Sequence, residues 1–129
     1  MATFELTAEN LDSSVQSHDV LIIDFWAEWC GPCRAFGPIF EAASEKYEGI
    51  GFAKCDTEAQ QSIAASFGIR SIPTVAIFRE QVLLYLQPGA LPAAGLDDIL
   101  GQVVQLDMDD VRAKIAEAEE ASDMEESTD

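Results

Sequence analysis

The 129-residue sequence predicts a single α/β domain in which helices pack against a mixed β-sheet. A near-continuous apolar run over residues 19–27 is typical of a strand buried on both faces. A strand–helix–strand order early in the chain, with a hairpin and a helix late in it, predicts parallel and antiparallel strands in one sheet. Apolar residues make up 48% of the chain, which is enough to form one core.

The individual elements follow from hydrophobic periodicity and from turn residues. Strand patterns occupy residues 2–7, 19–27, 50–55, 74–79 and 82–87. Helical patterns occupy residues 8–16, 32–48, 58–67 and 92–106. Thr7 is the expected N-cap of the first helix, Pro38 is expected to kink the second, and Gly68 closes the third. The Glu80–Gln81 pair joins the last two strands, and we expect a distorted loop because a tight turn usually holds Gly or Asn.

An extension follows this domain, which we place at residues 1–106. An extra amphipathic helix is predicted over residues 107–121. Its apolar face carries Met108, Val111, Ile115 and Ala118. So narrow a stripe cannot hold a helix alone in water, and we expect it to pack on the domain. Residues 122–129 are polar and acidic, and we expect them to be disordered.

The net charge of −17 excludes several classes of partner, and it is unevenly spread. Residues 107–129 hold 10 of the 24 acidic side chains and 2 of the 7 basic ones. Such a surface repels phosphate groups, so we expect neither nucleic-acid nor membrane partners. The same charge opposes self-association, and we expect a monomer. No secretory signal or membrane-spanning run is visible, so the expected location is the cytoplasm.

Two of the three cysteines lie three residues apart in the stretch "WCGPC". Pro32 favours the first turn of a helix, which places Cys30 at the helix start and Cys33 about one turn further in. A disulfide can form between them with little movement of the backbone. The helix dipole and free N–H groups favour a thiolate at Cys30, so we expect it to be the exposed nucleophile. Cys33 is then placed to resolve a mixed disulfide.

Two other interpretations of the cysteine pair are weaker. A zinc site needs two more ligands, and only Cys55 and His18 remain, at no recognisable spacing. A structural disulfide is disfavoured in a cytoplasmic protein. We therefore expect no metal and no cofactor. Cys55 is expected to be a buried, inert thiol, with a regulatory thiol as the alternative, and His18 is expected in a surface loop.

A carboxylate inside the apolar run is the other unusual residue. Asp24 lies within "LIIDFW", where burial should raise the pKa of its carboxyl group. A carboxylate with that property is a candidate proton acceptor near neutral pH. The alternative is an Asp at the strand end that reaches water.

The stretches "DFWAEWCGPCR" and "IRSIPT" together resemble the thioredoxin family, over residues 4–106. The resemblance implies the thioredoxin fold, a central mixed β-sheet with α-helices on both faces. It implies a protein-disulfide reductase in which Cys30 attacks, Cys33 resolves, and Asp24 beneath Cys33 helps to deprotonate it. The resemblance also makes Lys54 the partner of Asp24, although the residues alone describe Lys54 equally well as a solvated strand residue.

The resemblance further implies a cis peptide before Pro73 and a flat, apolar groove that binds substrate by strand addition. The implied groove residues are Trp29, Gly31, Pro32, Ile72, Pro73 and Gly89. The implied partners are disulfide-containing proteins and an NADPH-dependent thioredoxin reductase. Two rival functions remain: an oxidase or isomerase on the same fold, and an adaptor that binds partners through the groove or the C-terminal helix. Gly31 and Pro32 favour the reductase, and the presence of both cysteines argues against the adaptor.

Overall fold

The computed structural model of the chain describes residues 2–126. Within that range it has five strands and five helices, in an order that confirms the predicted α/β class. They are β1 Thr3–Glu5, α1 Leu11–Ser17, β2 Val20–Trp26, α2 Gly31–Lys46, β3 Ile50–Asp56, α3 Gln61–Ser66, β4 Thr74–Arg79, β5 Val82–Pro88, α4 Ala93–Gln105 and α5 Met108–Glu126. None of the helices described is both long enough and apolar enough to span a membrane.

The strands form one mixed sheet in the order β1-β3-β2-β4-β5. β1, β3 and β2 run parallel, and β4 and β5 are antiparallel to their neighbours. β2 lies at the centre, and its first six residues are buried, as the continuous apolar run predicts. Because β2 and β3 are parallel, the residues that follow both strands meet at one end of the sheet.

Side-chain alternation along β2 divides the core between the two faces of the sheet. Ile22 packs on the face covered by α2 and α4, with Phe36 and Leu100. Ile23 packs on the opposite face with Ile63 of α3. Helices therefore cover both faces, as predicted. By the same alternation, Asp24 points to the α2 face.

The first helix begins later than predicted, and Thr7 is not its N-cap. The N-cap position belongs to Asn10, and α1 starts at Leu11. Residues 7–10 instead form a turn closed by reciprocal bonds, in which the Thr7 amide donates to Asn10 Oδ1 at 2.8 Å and the Asn10 amide donates to Thr7 Oγ1 at 3.3 Å. These local side-chain bonds compete with helix formation and delay it.

The hairpin between β4 and β5 is a tight turn built from unusual residues. Glu80 and Gln81 both have positive φ, 49° and 69°, in the left-handed region that favours Gly or Asn. This conformation costs about 1–2 kcal/mol per residue. The pairing of the two strands also shifts register between Ile77 and Phe78. The expected distortion therefore takes the form of backbone strain and an irregular ladder.

The C-terminal helix differs from its prediction in length and in packing. α5 runs to Glu126, beyond the predicted helix end at residue 121. The disordered tail expected from Ser122 stays a prediction, and residues 127–129 lie outside the described residues. Its N-terminus is capped by Asp107 Oδ1, which accepts from the amides of Asp109 and Asp110 at 3.0 and 3.2 Å.

Among the described side chains of α5, those of its first turns pack on the domain. Met108 is buried and Val111 is half-buried, whereas Ile115 and Ala118 are exposed. Arg112 Nη1 adds an ion pair with Glu80 Oε1 at 2.9 Å, which ties α5 to the strained hairpin turn. The predicted packing is thus confirmed for the beginning of the apolar stripe and not for its end.

Candidate active site

The cysteine pair lies where β2 ends and α2 begins. Cys30 is the N-cap of α2, with an extended backbone (φ −87°, ψ 113°), and Pro32 stands in the first turn. The Cys33 amide donates to the Cys30 sulfur at 3.2 Å. The two cysteines form a disulfide, with their Cα atoms 5.2 Å apart, so the predicted pairing is confirmed.

The structure does not show the expected difference in exposure between the cysteines. In this disulfide form Cys30 is 4% exposed and Cys33 is 3% exposed. Their surroundings differ instead. The Cys30 sulfur accepts a hydrogen bond from the Cys33 amide and lies 3.7 Å from the Ile72 carbonyl oxygen, whereas Cys33 lies within the first turn of α2. A thiolate at Cys30 gains from the amide and from the helix dipole.

Asp24 is fully buried, and in the described structure neither of its carboxylate oxygens has a hydrogen-bond partner. Burial raises the pKa of its carboxyl group from 3.8 to about 7, and the positive charge of Lys54 opposes part of that rise. The expected direction of the pKa change is therefore confirmed. A group with this pKa is partly protonated and partly ionised at neutral pH, so it can both accept and release a proton.

Lys54 lies opposite Asp24 in the register of β2 and β3. Its Nζ is 4.8 Å from the centroid of the Trp26 ring, a cation–π distance. A Cβ atom built on Gly37 of α2 would stand 3.9 Å from that Nζ. The side chain is half-buried. Its charge is felt at Asp24, although no ion pair within 4.0 Å joins the two among the described residues.

The segment before β4 closes the other side of the disulfide. The Ile72–Pro73 peptide is cis, as the resemblance implies. The Ile72 carbonyl faces the Cys30 sulfur, and the Pro73 carbonyl accepts from the Gly89 amide at 2.7 Å. Gly89 has φ +112°, a conformation that side chains rarely allow.

Exposure separates the predicted groove residues into a surface and a support. Trp29 is 66% exposed, and Gly31 and Pro32 are also exposed. Ile72 is half-buried, and Pro73 is buried behind it. All six residues lie around the cysteine pair. Three of them, Trp29, Gly31 and Pro32, are its neighbours in sequence, and the contacts of the Ile72 and Pro73 carbonyls bring Ile72, Pro73 and Gly89 to it.

Glu58 is a site residue that was not predicted from the sequence. Its Oε1 accepts a hydrogen bond from Trp29 Nε1 at 2.8 Å. The turn that carries Glu58 is fixed by Asp56 Oδ1, which accepts from the amides of Glu58 and Ala59 at 2.9 and 3.3 Å. Trp29 follows β2 and Glu58 follows β3. The meeting of these parallel strand ends was the available signal.

His18 lies at the opposite end of β2 and takes no part in this site. It is half-buried and not simply a surface loop residue: its Nδ1 is 2.8 Å from the Ser14 carbonyl oxygen, and its ring stacks on Phe4 with centroids 5.6 Å apart. A Cβ atom on Gly51 would lie 2.5 Å from the ring, so the packing of His18 requires glycine there. Among the described residues, no three His, Cys, Asp or Glu side chains are grouped so that they could hold a metal ion.

Cys55 also stands apart from the redox pair. It is fully buried on the face of the sheet opposite Asp24. Burial, with the nearby charges of Asp56 and Asp24, raises the pKa of its thiol to about 11. The thiol is therefore protonated at neutral pH, in agreement with the expectation that it is inert.

A redox-capable cysteine pair at a helix N-terminus, facing a cis-proline segment, places this fold in the class of thiol–disulfide oxidoreductases. The family model of thioredoxin matches residues 2–102. A putative thioredoxin 2 of Streptomyces coelicolor is 55% identical over 116 residues, which cover 90% of this chain and 87% of that protein. The thioredoxin of Porphyra purpurea is 37% identical over 106 residues, covering 81% and 99% of the two chains.

Comparison with solved structures indicates the same family. A mutant thioredoxin from Halobacterium salinarum superposes with a TM-score of 0.76 at 27% identity, covering 81% of this chain and 93% of that one. The chain belongs to the thioredoxin family. Its Cys30–Cys33 pair supports the disulfide reduction that defines that family.

Proposed function

We propose that this protein reduces disulfides in protein substrates by an exchange in which Cys30 attacks and Cys33 resolves. The observation that carries the assignment is the placement of the Cys30 sulfur at the N-terminus of α2, where the Cys33 amide donates to it. A thiolate there is stabilised by that amide and by the helix dipole, and the thiolate is the attacking species in disulfide exchange.

The exchange proceeds in two steps. The Cys30 thiolate attacks one sulfur of the substrate disulfide, forming a mixed disulfide and releasing the other substrate sulfur as a thiolate, which takes a proton. The Cys33 thiolate then attacks the Cys30 sulfur, and the second substrate thiol leaves. Two electrons pass to the substrate, and the protein is left with the Cys30–Cys33 disulfide that the structure contains.

Asp24 is the proposed proton acceptor for Cys33. It points to the α2 face of the sheet, where Cys33 lies, and its pKa of about 7 suits a base that works near neutral pH. Lys54 is proposed to support the ionised form of Asp24 because its charge lowers that pKa. Asp24 therefore acts in the second step, when Cys33 must lose its proton.

The groove around the disulfide is the proposed substrate site. An extended peptide can pair with the backbone at Ile72, whose carbonyl lies 3.7 Å from the Cys30 sulfur, so that the substrate sulfur arrives beside the nucleophile. Trp29 offers an exposed aromatic surface for the same peptide. Gly31 and Pro32 carry no bulky polar side chain that would obstruct it.

The wider setting of the reaction is also a proposal. An NADPH-dependent thioredoxin reductase is the proposed source of electrons, and a reducing compartment such as the cytoplasm keeps the pair in its dithiol form. We propose a monomer because the net charge of −17 opposes self-association. Residues 1–106 are the proposed catalytic unit, since the site residues lie within them and α5 contributes none.

Trapping experiments test the roles of the cysteines. Cys30→Ser should abolish the reduction of a protein disulfide such as that of insulin. Cys33→Ser should accumulate mixed disulfides, because attack still occurs and resolution does not. Mass spectrometry of trapped conjugates identifies the linked cysteine, and conjugates on Cys33 of the Cys30→Ser variant would reverse the assignment.

The reduction potential separates this function from that of an oxidase or isomerase. Equilibration with glutathione redox buffers should give a reduction potential for the Cys30–Cys33 pair that is more negative than about −240 mV. That threshold lies within the range measured for the cytosolic glutathione pool. A value near −120 mV, typical of a dedicated oxidant, would replace the reductase proposal with the oxidase.

A further inference from the structure

Large apolar side chains are exposed near the end of the molecule opposite the disulfide. Apart from Trp29, the large apolar residues exposed in the described chain are Leu83, Val104, Leu106 and Ile115, at 41%, 46%, 39% and 39%. Leu83 pairs with Phe78 and so points to the sheet face away from α4; we call the other three residues the distal patch. They come from the C-terminal end of α4 and from α5, two segments that the redox chemistry does not use.

Contacts between these segments show that they meet at one place. Arg79 Nη1 donates to the carbonyl oxygens of Val103 and Leu106 at 2.8 and 2.7 Å, which joins β4 to the end of α4. The Arg112–Glu80 ion pair joins α5 to the turn that leads into β5. Arg79 pairs with Val20 at the start of β2, whereas Cys30 follows the end of that strand, so roughly 20 Å of strand separates the distal patch from the disulfide.

The described side chains in the second half of α5 are not buried against the domain. Every described side chain from Ala113 to Asp123 is exposed. An isolated helix is marginal in water, and acidic side chains near its C-terminus oppose the helix dipole. The last turn of α5 holds no basic residue to offset them. Contacts with another molecule are therefore the remaining source of stabilisation for this half.

The charges of α5 define what that molecule must carry. Residues 107–123 contain seven acidic and two basic side chains. Both basic ones are already paired, Arg112 with Glu80 and Asp109, and Lys114 with Asp110. The outward charge is therefore negative, and Glu119 and Asp123 carry part of it on the same side of the helix as Ile115. A second copy of this chain brings like charge and is disfavoured.

We propose that the distal patch and the outer face of α5 dock a basic amphipathic helix of a partner protein. Its apolar side chains cover Ile115 and Leu106, and its Lys or Arg side chains meet the carboxylates that flank them. Because the patch lies at the far end of β2, a docked partner leaves the cysteine pair open. The extension is then a second binding surface, independent of the substrate groove.

A labelled peptide tests this docking on the full chain. The probe is an 18-residue Leu/Lys peptide with one apolar face and one basic face, and binding is followed by fluorescence anisotropy in 0.15 M salt. We expect saturable one-to-one binding. Ile115→Gln should weaken it about three- to tenfold, as expected when one partly buried aliphatic side chain is lost. The Glu119→Gln/Asp123→Asn double variant, which removes charge on the Ile115 side of α5, should weaken it about two- to tenfold.

A matched control separates docking from general attraction to an acidic protein. Glu9→Gln/Glu45→Gln removes the same charge from exposed positions elsewhere in the domain and should bind the peptide like the unaltered chain. Equal losses of peptide affinity in the two double variants, or unchanged peptide binding by Ile115→Gln, would overturn the proposal. A dimer that Ile115→Gln abolishes in sedimentation would assign the surface to a second copy instead.

Enzyme activity shows whether the two surfaces are independent. Insulin reduction at saturating peptide should proceed at its unperturbed rate. Inhibition by the peptide would place it in the substrate groove and refute docking at the distal patch. A chain that binds the peptide as expected and yet reduces no disulfide would leave this docking intact and refute the proposed function.

Discussion

Replacing Asp24 by Asn removes an ionisable group from the core and changes little in size, so its effect on stability can be worked out from pKa values. The pKa of Asp24 is about 7 in the folded protein and 3.8 when the group is unperturbed. Between these values the folded state holds a proton that the unfolded state has lost. The free energy of unfolding therefore falls as pH rises, by about 1.4 kcal/mol per pH unit. The fall ends once pH passes about 7, where both states are ionised.

The variant lacks this dependence, so its stability relative to the unaltered chain should grow with pH. Asp24 is 0% exposed, and the full effect applies. The chain approaches its isoelectric point of about 4.1 in acid, so measurements begin at pH 5. From pH 5 to pH 8 the difference in unfolding free energy between Asp24→Asn and the unaltered chain should increase by about 2.5 kcal/mol.

Urea denaturation of both proteins in the disulfide form, at four or five pH values, measures this difference. For the exposed control Glu45→Gln, the difference in unfolding free energy from the unaltered chain should stay the same at every pH. If the difference for Asp24→Asn were also independent of pH, Asp24 would have an ordinary pKa, and the reasoning from its burial would fail. The resolving step should be slower in Asp24→Asn at neutral pH, and unchanged rates from about pH 6 to 8 would remove Asp24 from the mechanism.

Three further predictions concern other parts of the molecule. Gly51→Ala forces a methyl group into the neighbouring imidazole ring and should lower the unfolding free energy by about 1–3 kcal/mol, whereas Gly101→Ala, with open space around it in α4, should raise it by about 0.5–1 kcal/mol. Glu58→Ala frees the Trp29 indole and should change its fluorescence and raise KM for protein disulfides; an unaltered spectrum would mean that Glu58 does not hold the ring. Truncation after residue 106 removes one buried methionine and should cost about 1–2 kcal/mol in denaturant while insulin reduction persists, and unchanged stability would show that α5 is not docked.

Periodic segments and local motifs allowed much of the fold and site to be predicted. The continuous apolar run of β2 specified a central strand, and the Cys-Gly-Pro-Cys spacing specified a helix start with a pair able to form a disulfide. Asp24 stood out because a carboxylate interrupts that run. In each case the signal lies within a few neighbouring residues, so no knowledge of distant contacts was needed.

The features that the sequence did not reveal depend on distant contacts or on competing local bonds. Glu58 belongs to the site only because two parallel strands end side by side, which brings it to Trp29, 29 positions earlier. Thr7 had the chemistry of an N-cap, yet its turn with Asn10 displaced the helix start. The partial docking of α5 depends on Arg112 finding Glu80 across 32 positions, a contact that helical periodicity cannot indicate.

Because Cys55 is buried and separate from the redox pair, its reactivity in the oxidised protein measures unfolding. In the disulfide form Cys55 is the single free thiol of the three cysteines, and it lies fully buried in β3, paired with Phe25 of the central strand. A thiol reagent can reach it only when the sheet opens, and its high thiol pKa disappears in the unfolded chain. The rate at which a chromogenic disulfide labels the oxidised protein therefore reports how often the core of the sheet opens, with no engineered probe.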